Sequence, residues 1–282
     1  MRQRILTSLL ITPLLFFALI SEVFLYLFIL SICLRIVLET NLDINEKNKK
    51  IRIIFYFSLI LTYFLLIIIS LNNIIIYTFT IIFVSLVISL FLNIYGIRNT
   101  GNKKINNSQY FLFQGNLQNK ILLRETSSIF YIFGISTIFY LYQSASDLKW
   151  ILIPLITVFS VDTFSYIFGS MFGNKKIKFV SKISPNKTIL GYVAGLFFGF
   201  VIFIILNLFL GRIVSGFLFL IIFSILFPLI AIIGDLYASA IKRNFGVKNY
   251  GNILPGHGGL LDRLDSVILT IVCMTLVKVL IV

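Results

Sequence analysis

Residues 216–233 read GFLFLIIFSILFPLIAII and run straight into Gly234-Asp-Leu-Tyr-Ala-Ser-Ala-Ile-Lys-Arg243. The first part carries no charge, and a helix needs about 20 mostly apolar residues to cross a bilayer, so with its flanks it reads as a membrane span. The second part continues into polar territory with an acid at its first step. An ionised carboxylate against hydrocarbon is costly unless it faces a cation or a metal, which makes Asp235 a functional suspect.

Outward from this stretch, further apolar runs cover Ile5 to Ile20, Val23 to Leu38, Ile53 to Ile69, Ile74 to Leu92, Ser127 to Tyr142, Trp150 to Phe168, Gly191 to Leu210 and Val267 to Val282. With 59% hydrophobic residues and a mean hydropathy of +1.03, the expected fold is all-α: a polytopic integral membrane protein of about nine transmembrane helices. The polar connections reach about three dozen residues, short of the ~50 that a small independent domain needs. Residues 1–282 therefore read as a single membrane domain. It has an N-terminal helical part, 1–142, and a catalytic part, 150–282, with polar loops at 170–190 and 235–266.

Charge placement gives the orientation. Basic residues gather before the first run (Arg2, Arg4), after the second (Lys47, Lys49, Lys50, Arg52) and after the fourth (Arg98, Lys103, Lys104, Lys120, Arg124). They gather again after the sixth (Lys175, Lys176, Lys178, Lys182, Lys187) and the eighth (Lys242, Arg243, Lys248, Arg263). The alternate connections are nearly bare. By the positive-inside rule the N-terminus is expected in the cytoplasm and the C-terminus outside, and both motif-rich loops then face the cytoplasm. The net charge of +14 partly reflects a general richness in Ile, Phe, Asn and Lys, so its placement says more than its size.

Cys33 and Cys273 both lie in apolar runs and give neither a disulfide framework nor metal-ligand spacing, so redox chemistry finds no support. Met1 to Arg4 begin as a signal peptide does, but no small-residue cleavage site follows Ile20, and the run is expected to stay as the first span.

Past Asp147 the only carboxylates are Asp162, Asp235, Asp262 and Asp265, and the only histidine of the chain, His257, stands among them. If the helix through Asp235 persists, Asp235, Ser239 and Lys242 share one face. A carboxylate, a hydroxyl and an ammonium so placed suit a metal and a phosphate; a helix end with a snorkelling lysine is the plainer reading. Then comes Leu254-Pro-Gly-His-Gly-Gly-Leu-Leu-Asp-Arg-Leu-Asp265. Its glycines, Gly258 and Gly259 among them, are expected to let backbone N–H groups approach phosphate oxygens. Asp262 and Asp265 fall on one face of the helix that starts there and suit a divalent ion that also grips phosphates. A helix N-terminus merely enriched in acid is the alternative. His257 is either a general base or a group that holds a phosphate or the loop. A third cluster, Ser184-Pro-Asn-Lys-Thr-Ile-Leu-Gly191, follows a lysine-rich stretch that attracts headgroups and nucleotide phosphates. Asp162 is expected to be buried, with Thr163 and Tyr166 nearby.

At these residues the sequence resembles the phosphatidate cytidylyltransferase (CDP-diacylglycerol synthase) family. The C-terminal signature is met by Ser239, Lys242, Arg243, Lys248, Pro255, His257, Gly258, Gly259, Asp262, Arg263 and Asp265. Upstream, Asp162, Tyr166, Gly169 and Gly173 look like one family segment, and Ser184, Pro185, Lys187, Thr188 and Gly191 like another. The likeness is specific from Asp162 to Ser266 and topological before that. Three positions depart from the pattern: Leu190 where Glu or Gln is usual, Ala238 where Glu is common and Asn249 where Asp is usual.

The resemblance implies transfer of a cytidylyl group from CTP to phosphatidate, giving CDP-diacylglycerol and pyrophosphate in phospholipid biosynthesis. It implies Mg²⁺, with room for a second cation, on Asp235, Asp262 and Asp265, and Lys242 with them as the catalytic set. Ser184, Lys187, Thr188, Ser239, Arg243, Lys248, His257, Gly258, Gly259, Arg263 and Asp162 would bind substrate. The expected partners are CTP, phosphatidate and bilayer lipid, with a homodimer implied and no nucleic acid. The implied location is the bacterial plasma (inner) membrane with the site facing the cytoplasm. Two other classes fit less of the sequence: a CTP-dependent lipid kinase of polyprenol or phytol type, and a cation-coupled transporter using Asp162 and Asp235.

Overall fold

The computed structural model describes residues 22–40, 117–144, 148–173, 180, 183–185, 187–213, 216–251 and 258–281. Among them the architecture is helical throughout: α1 (Glu22–Thr40), α2 (Leu117–Ser144), α3 (Lys149–Phe172), α4 (Ile189–Phe209), α5 (Phe217–Asn244) and α6 (Leu261–Ile281). The runs expected at 5–20, 53–69 and 74–92 lie outside the described residues. Among the described residues three helices, α3, α4 and α5, are long and apolar enough to cross a membrane. The shortest of them has 21 residues, about 31 Å at 1.5 Å per residue, which matches the hydrocarbon thickness. Their apolar side chains outside the packing, such as Phe197, Phe209, Phe217 and Leu218, are exposed. Water would penalise such a surface and acyl chains would not.

The described helices fall into two compact units. The first takes its residues from Met1–Ser136 and Ile241–Arg263, the second from Thr137–Ala240 and Leu264–Val282. In the first, α1 packs on α2 with Ile29, Cys33, Ile36, Phe130 and Tyr131 fully inside, and the Cys33 thiol reaches the Ile132 carbonyl at 3.9 Å. The Tyr250 ring meets Tyr131 edge-on, centroids 6.3 Å apart, and the Arg124 guanidinium lies over Phe245 at 5.0 Å.

In the second unit small residues set the helix spacing. A Cβ on Gly191 of α4 would come 2.7 Å from the Ser165 carbonyl of α3, and one on Gly199 would come 2.6 Å from Val161 and 2.9 Å from Pro228 of α5. Gly234 of α5 lies close to α6, where a Cβ would stand 3.1 Å from the Ser266 Cα. Phe203 and Phe227 stack in the resulting core at 5.3 Å. Close backbone approach through small residues is the usual way helices associate where lipid offers no hydrophobic drive.

The helix through Asp235 does persist: α5 carries residues 235–244, because Ala and Leu positions sustain helix after the apolar run has ended, so the polar connection expected from 235 begins only after Asn244. One expectation needs correction. Asp162 is exposed, as are Thr163 and Tyr166. The fully buried residues of α3 run from Trp150 to Val161; past them the helix stays against α4 through Phe164 and Gly169, but its residues there are only half-buried or exposed.

Candidate active site

Local chemistry at the end of α5 places its cations. The Gly246 N–H bonds the Arg243 carbonyl at 3.1 Å and the Val247 N–H bonds the Lys242 carbonyl at 3.0 Å, with Gly246 in the left-handed region at φ +73°. This is a Schellman ending, which a residue with a Cβ would strain. It leaves Lys242 and Arg243 in the last turn, where the helix dipole favours positive charge. Arg243 Nη1 donates to the Val247 carbonyl at 3.1 Å and helps close the same turn.

Lys242 then crosses to the start of α6. Its ammonium donates to Asp262 Oδ1 at 2.9 Å, with both side chains over nine-tenths buried, and lies 5.5 Å over the Tyr250 ring. Asp262 Oδ2 accepts the Tyr250 N–H at 2.8 Å and the Gly259 N–H at 2.9 Å. One carboxylate thus ties both ends of the connection between α5 and α6 and neutralises the lysine. Asn249 stands beside Gly258 (φ +88°), Lys248 and Arg263 are exposed, and Ser239 is buried within α5. His257 and Pro255 lie outside the described residues.

A residue the sequence reading passed over completes this arrangement. Glu39 of α1 is buried; its Oε1 accepts the Leu260 N–H at 2.8 Å, its Oε2 the Leu261 N–H at 2.9 Å, and Arg35 Nε approaches at 3.4 Å. The signal was available, because an acid at the edge of the run from Val23 is as suspect as Asp235. Gly259 has a role that its reading as a phosphate-approach residue did not include: a Cβ there would lie 2.7 Å from Glu39 Oε2, so in this structure the glycine admits a protein carboxylate.

The second unit holds its own polar cluster. Lys187 forms an ion pair with Asp235, and its ammonium lies 5.6 Å over the Tyr192 ring. Thr188 is the N-cap of α4: its Oγ1 accepts the Gly191 N–H at 3.2 Å, which accounts for a threonine at that position. Gly169 and Gly173 of α3 face the same hydroxyl, and a Cβ on Gly173 would collide with it. Ser184 is half-buried and its carbonyl accepts the Lys187 N–H at 3.3 Å. Ser266, buried on α6, donates to Asp162 Oδ2 across 3.4 Å, and the adjacent Asp265 Oδ1 accepts the Ser266 N–H at 2.9 Å. The structure therefore joins Asp162 to Ser266, and Asp235 to Lys187, through side chains drawn from three helices and the segment just before α4.

The profile of the Cytidylyltransferase family matches residues 2–281. The chain belongs to the cytidylyltransferase family. Relatives named phosphatidate cytidylyltransferase include one from Staphylococcus saprophyticus, 44% identical over 128 residues, which are 45% of this chain and 48% of the relative. One from Staphylococcus haemolyticus is 43% identical over 128 residues, again 45% and 48% of the two chains. One from Staphylococcus aureus is 40% identical over 139 residues, 49% and 52% of the two chains. The chain thus spans about half the length of the curated relatives it matches.

For a divalent ion the donor chemistry of this family member is right, since carboxylate oxygens are the hard ligands Mg²⁺ takes. Among the described residues, however, no three of His, Cys, Asp and Glu stand close enough to form a ligand group. Asp235 and Asp262 each face a lysine ammonium instead. Mg²⁺ is commonly held by one or two carboxylates together with substrate phosphates, an arrangement that needs no preformed cage.

Proposed function

We propose that this chain catalyses transfer of the cytidylyl group of CTP to phosphatidate, releasing pyrophosphate and leaving CDP-diacylglycerol in the membrane. The observation that carries the reading is the Lys242 to Asp262 contact. It joins the two halves of the signature, the end of α5 and the start of α6, through a buried ion pair. The names of the relatives point to the same reaction.

In the reaction a phosphate oxygen of phosphatidate attacks the α-phosphorus of CTP. The new P–O bond forms as the bond to the bridging oxygen breaks, and the electron pair leaves with pyrophosphate. Two polyanions must meet, so catalysis is mostly positioning and charge neutralisation. Lys187 and Lys242 are each oriented in advance by the carboxylate they face, so little reorganisation is needed when phosphate arrives. Arg243, Lys248 and Arg263 add positive charge beside Lys242, and Lys248 and Arg263 are exposed to an incoming nucleotide. Ser184, Thr188, Ser239, His257 and the glycine pair Gly258 and Gly259 shape or line the substrate site in this reading. Mg²⁺, with Asp235, Asp262 and Asp265 as its protein ligands, would supply charge neutralisation at the triphosphate and the leaving pyrophosphate. The acyl chains stay in the bilayer while the headgroup enters from its surface.

The alternation of basic and bare connections supports nine spans in one membrane domain, an N-terminus and a site on the cytoplasmic side, where CTP is found, and a C-terminus outside. A bacterial plasma membrane and a homodimer complete the proposal by resemblance.

The test uses membranes carrying the protein, phosphatidate, Mg²⁺ and CTP labelled at either the α or the γ phosphate. Label from the α position is expected in a cytidine-bearing lipid. Label from the γ position in lipid would instead make the protein a lipid kinase.

A further inference from the structure

We propose that Glu39 is a positioning residue for this reaction: from α1 it fixes the first turn of α6 and the Gly258–Gly259 turn so that Asp262 meets Lys242. Its catalytic consequence rests on the reading above; its structural part does not.

A carboxylate that is 3% exposed must find strong partners, and Glu39 has them. The first N–H groups of a helix have no intrahelical acceptor and carry the positive end of its dipole. The Leu260 and Leu261 N–H groups are of that kind, and the two oxygens of Glu39 take one each, at 2.8 and 2.9 Å. Such bonds to an ionised acceptor are the strong class. The next donor back along the chain, the Gly259 N–H, goes to Asp262. Two protein carboxylates therefore hold three consecutive N–H groups at the opening of α6.

The chain is shaped around this carboxylate. A Cβ on Gly259 would lie 2.7 Å from Oε2 and 2.9 Å from Cδ, and one on Gly251 would lie 3.3 Å from Oε1. Glycine thus occurs on both sides of the connection where Glu39 passes. Because Asp262 sits in the first turn that Glu39 anchors, and its other oxygen faces Lys242, a shift of that turn moves the ion pair directly.

The experiment compares E39A, E39Q, G259A and the E39A/G259A double variant of the full-length protein in detergent. A displacement of about 1 Å at reacting groups costs about a hundredfold in rate, so E39A is expected to lose about that much kcat while KM for CTP changes little. G259A is expected to be impaired alone, because its methyl collides with the carboxylate. In the double variant the collision is gone, so its thermal midpoint and kcat should be no worse than those of E39A alone. E39Q keeps the shape but only one acceptor oxygen; it should speed amide exchange at Leu260 and Leu261 and lie between wild type and E39A in kcat. Thermal midpoints and exchange need no turnover, so they test the anchoring even if the protein transfers no cytidylyl group. Additive losses of midpoint for E39A and G259A, unchanged exchange in E39Q, or wild-type kcat in E39A would each overturn the proposal.

Discussion

At the scale of the residue, the Lys242–Asp262 pair sets the terms. Both side chains are over nine-tenths buried, so breaking the pair from one side leaves an uncompensated charge, which costs about 3–5 kcal/mol. K242M should therefore lower the unfolding free energy in detergent by about that amount and abolish cytidylyl transfer; a stability within experimental error of wild type would contradict the buried pair. Substituting Asp262 by Asn is less informative than the sequence suggests. It removes an acceptor for the Tyr250 and Gly259 N–H groups as well as the charge, so lost activity there reports the turn as much as any ion. Asp265 offers the cleaner test of Mg²⁺: D265N should raise the Mg²⁺ concentration needed for half-maximal activity, and an unchanged requirement would remove it from the ligand set. The candidate residues themselves were legible because acids and cations are rare against so much Ile, Leu and Phe. What each one touches was not. Thr188 carries a helix cap and Gly259 makes room for Glu39, roles set by neighbours distant in the chain that spacing alone does not reveal.

At the scale of the element, the apolar runs located the helices among the described residues, but several of these helices extend beyond their runs. α2 begins at Leu117, ahead of the run at Ser127, and α5 continues past Ile233 to Asn244. Hydropathy marks what hydrocarbon accepts, while a helix continues as long as its backbone bonds and propensities allow, and stops at a signal such as Gly246. Packing between elements was hidden for a related reason: the glycines of α3 and α4 read as motif members, whereas the structure uses them to bring backbones together. Gly199 gives the sharpest test, since Val161 and Pro228 close over it from α3 and α5. G199L should cost about 1–3 kcal/mol by overpacking, with G199A less affected. Thermal unfolding in detergent would show it, and a midpoint equal to wild type in G199L would mean that the three helices do not meet there.

For the whole molecule, family membership and helices long and apolar enough to cross a membrane fit the enzyme proposed above, and the charge alternation fits its proposed orientation. Orientation is open to direct measurement. With Cys33 and Cys273 replaced by Ala, a cysteine at Lys248 should react with a membrane-impermeant thiol reagent only from the cytoplasmic side, and one at Arg212 only from outside; the reverse pattern would invert the topology. The most direct measurement of the proposed function is the fate of CTP when the purified protein is placed in phosphatidate-containing vesicles with Mg²⁺. One pyrophosphate released for each cytidine-bearing lipid formed, and none without phosphatidate, is the expected result. CDP accumulating in place of pyrophosphate, with no cytidine entering the lipid, would contradict it.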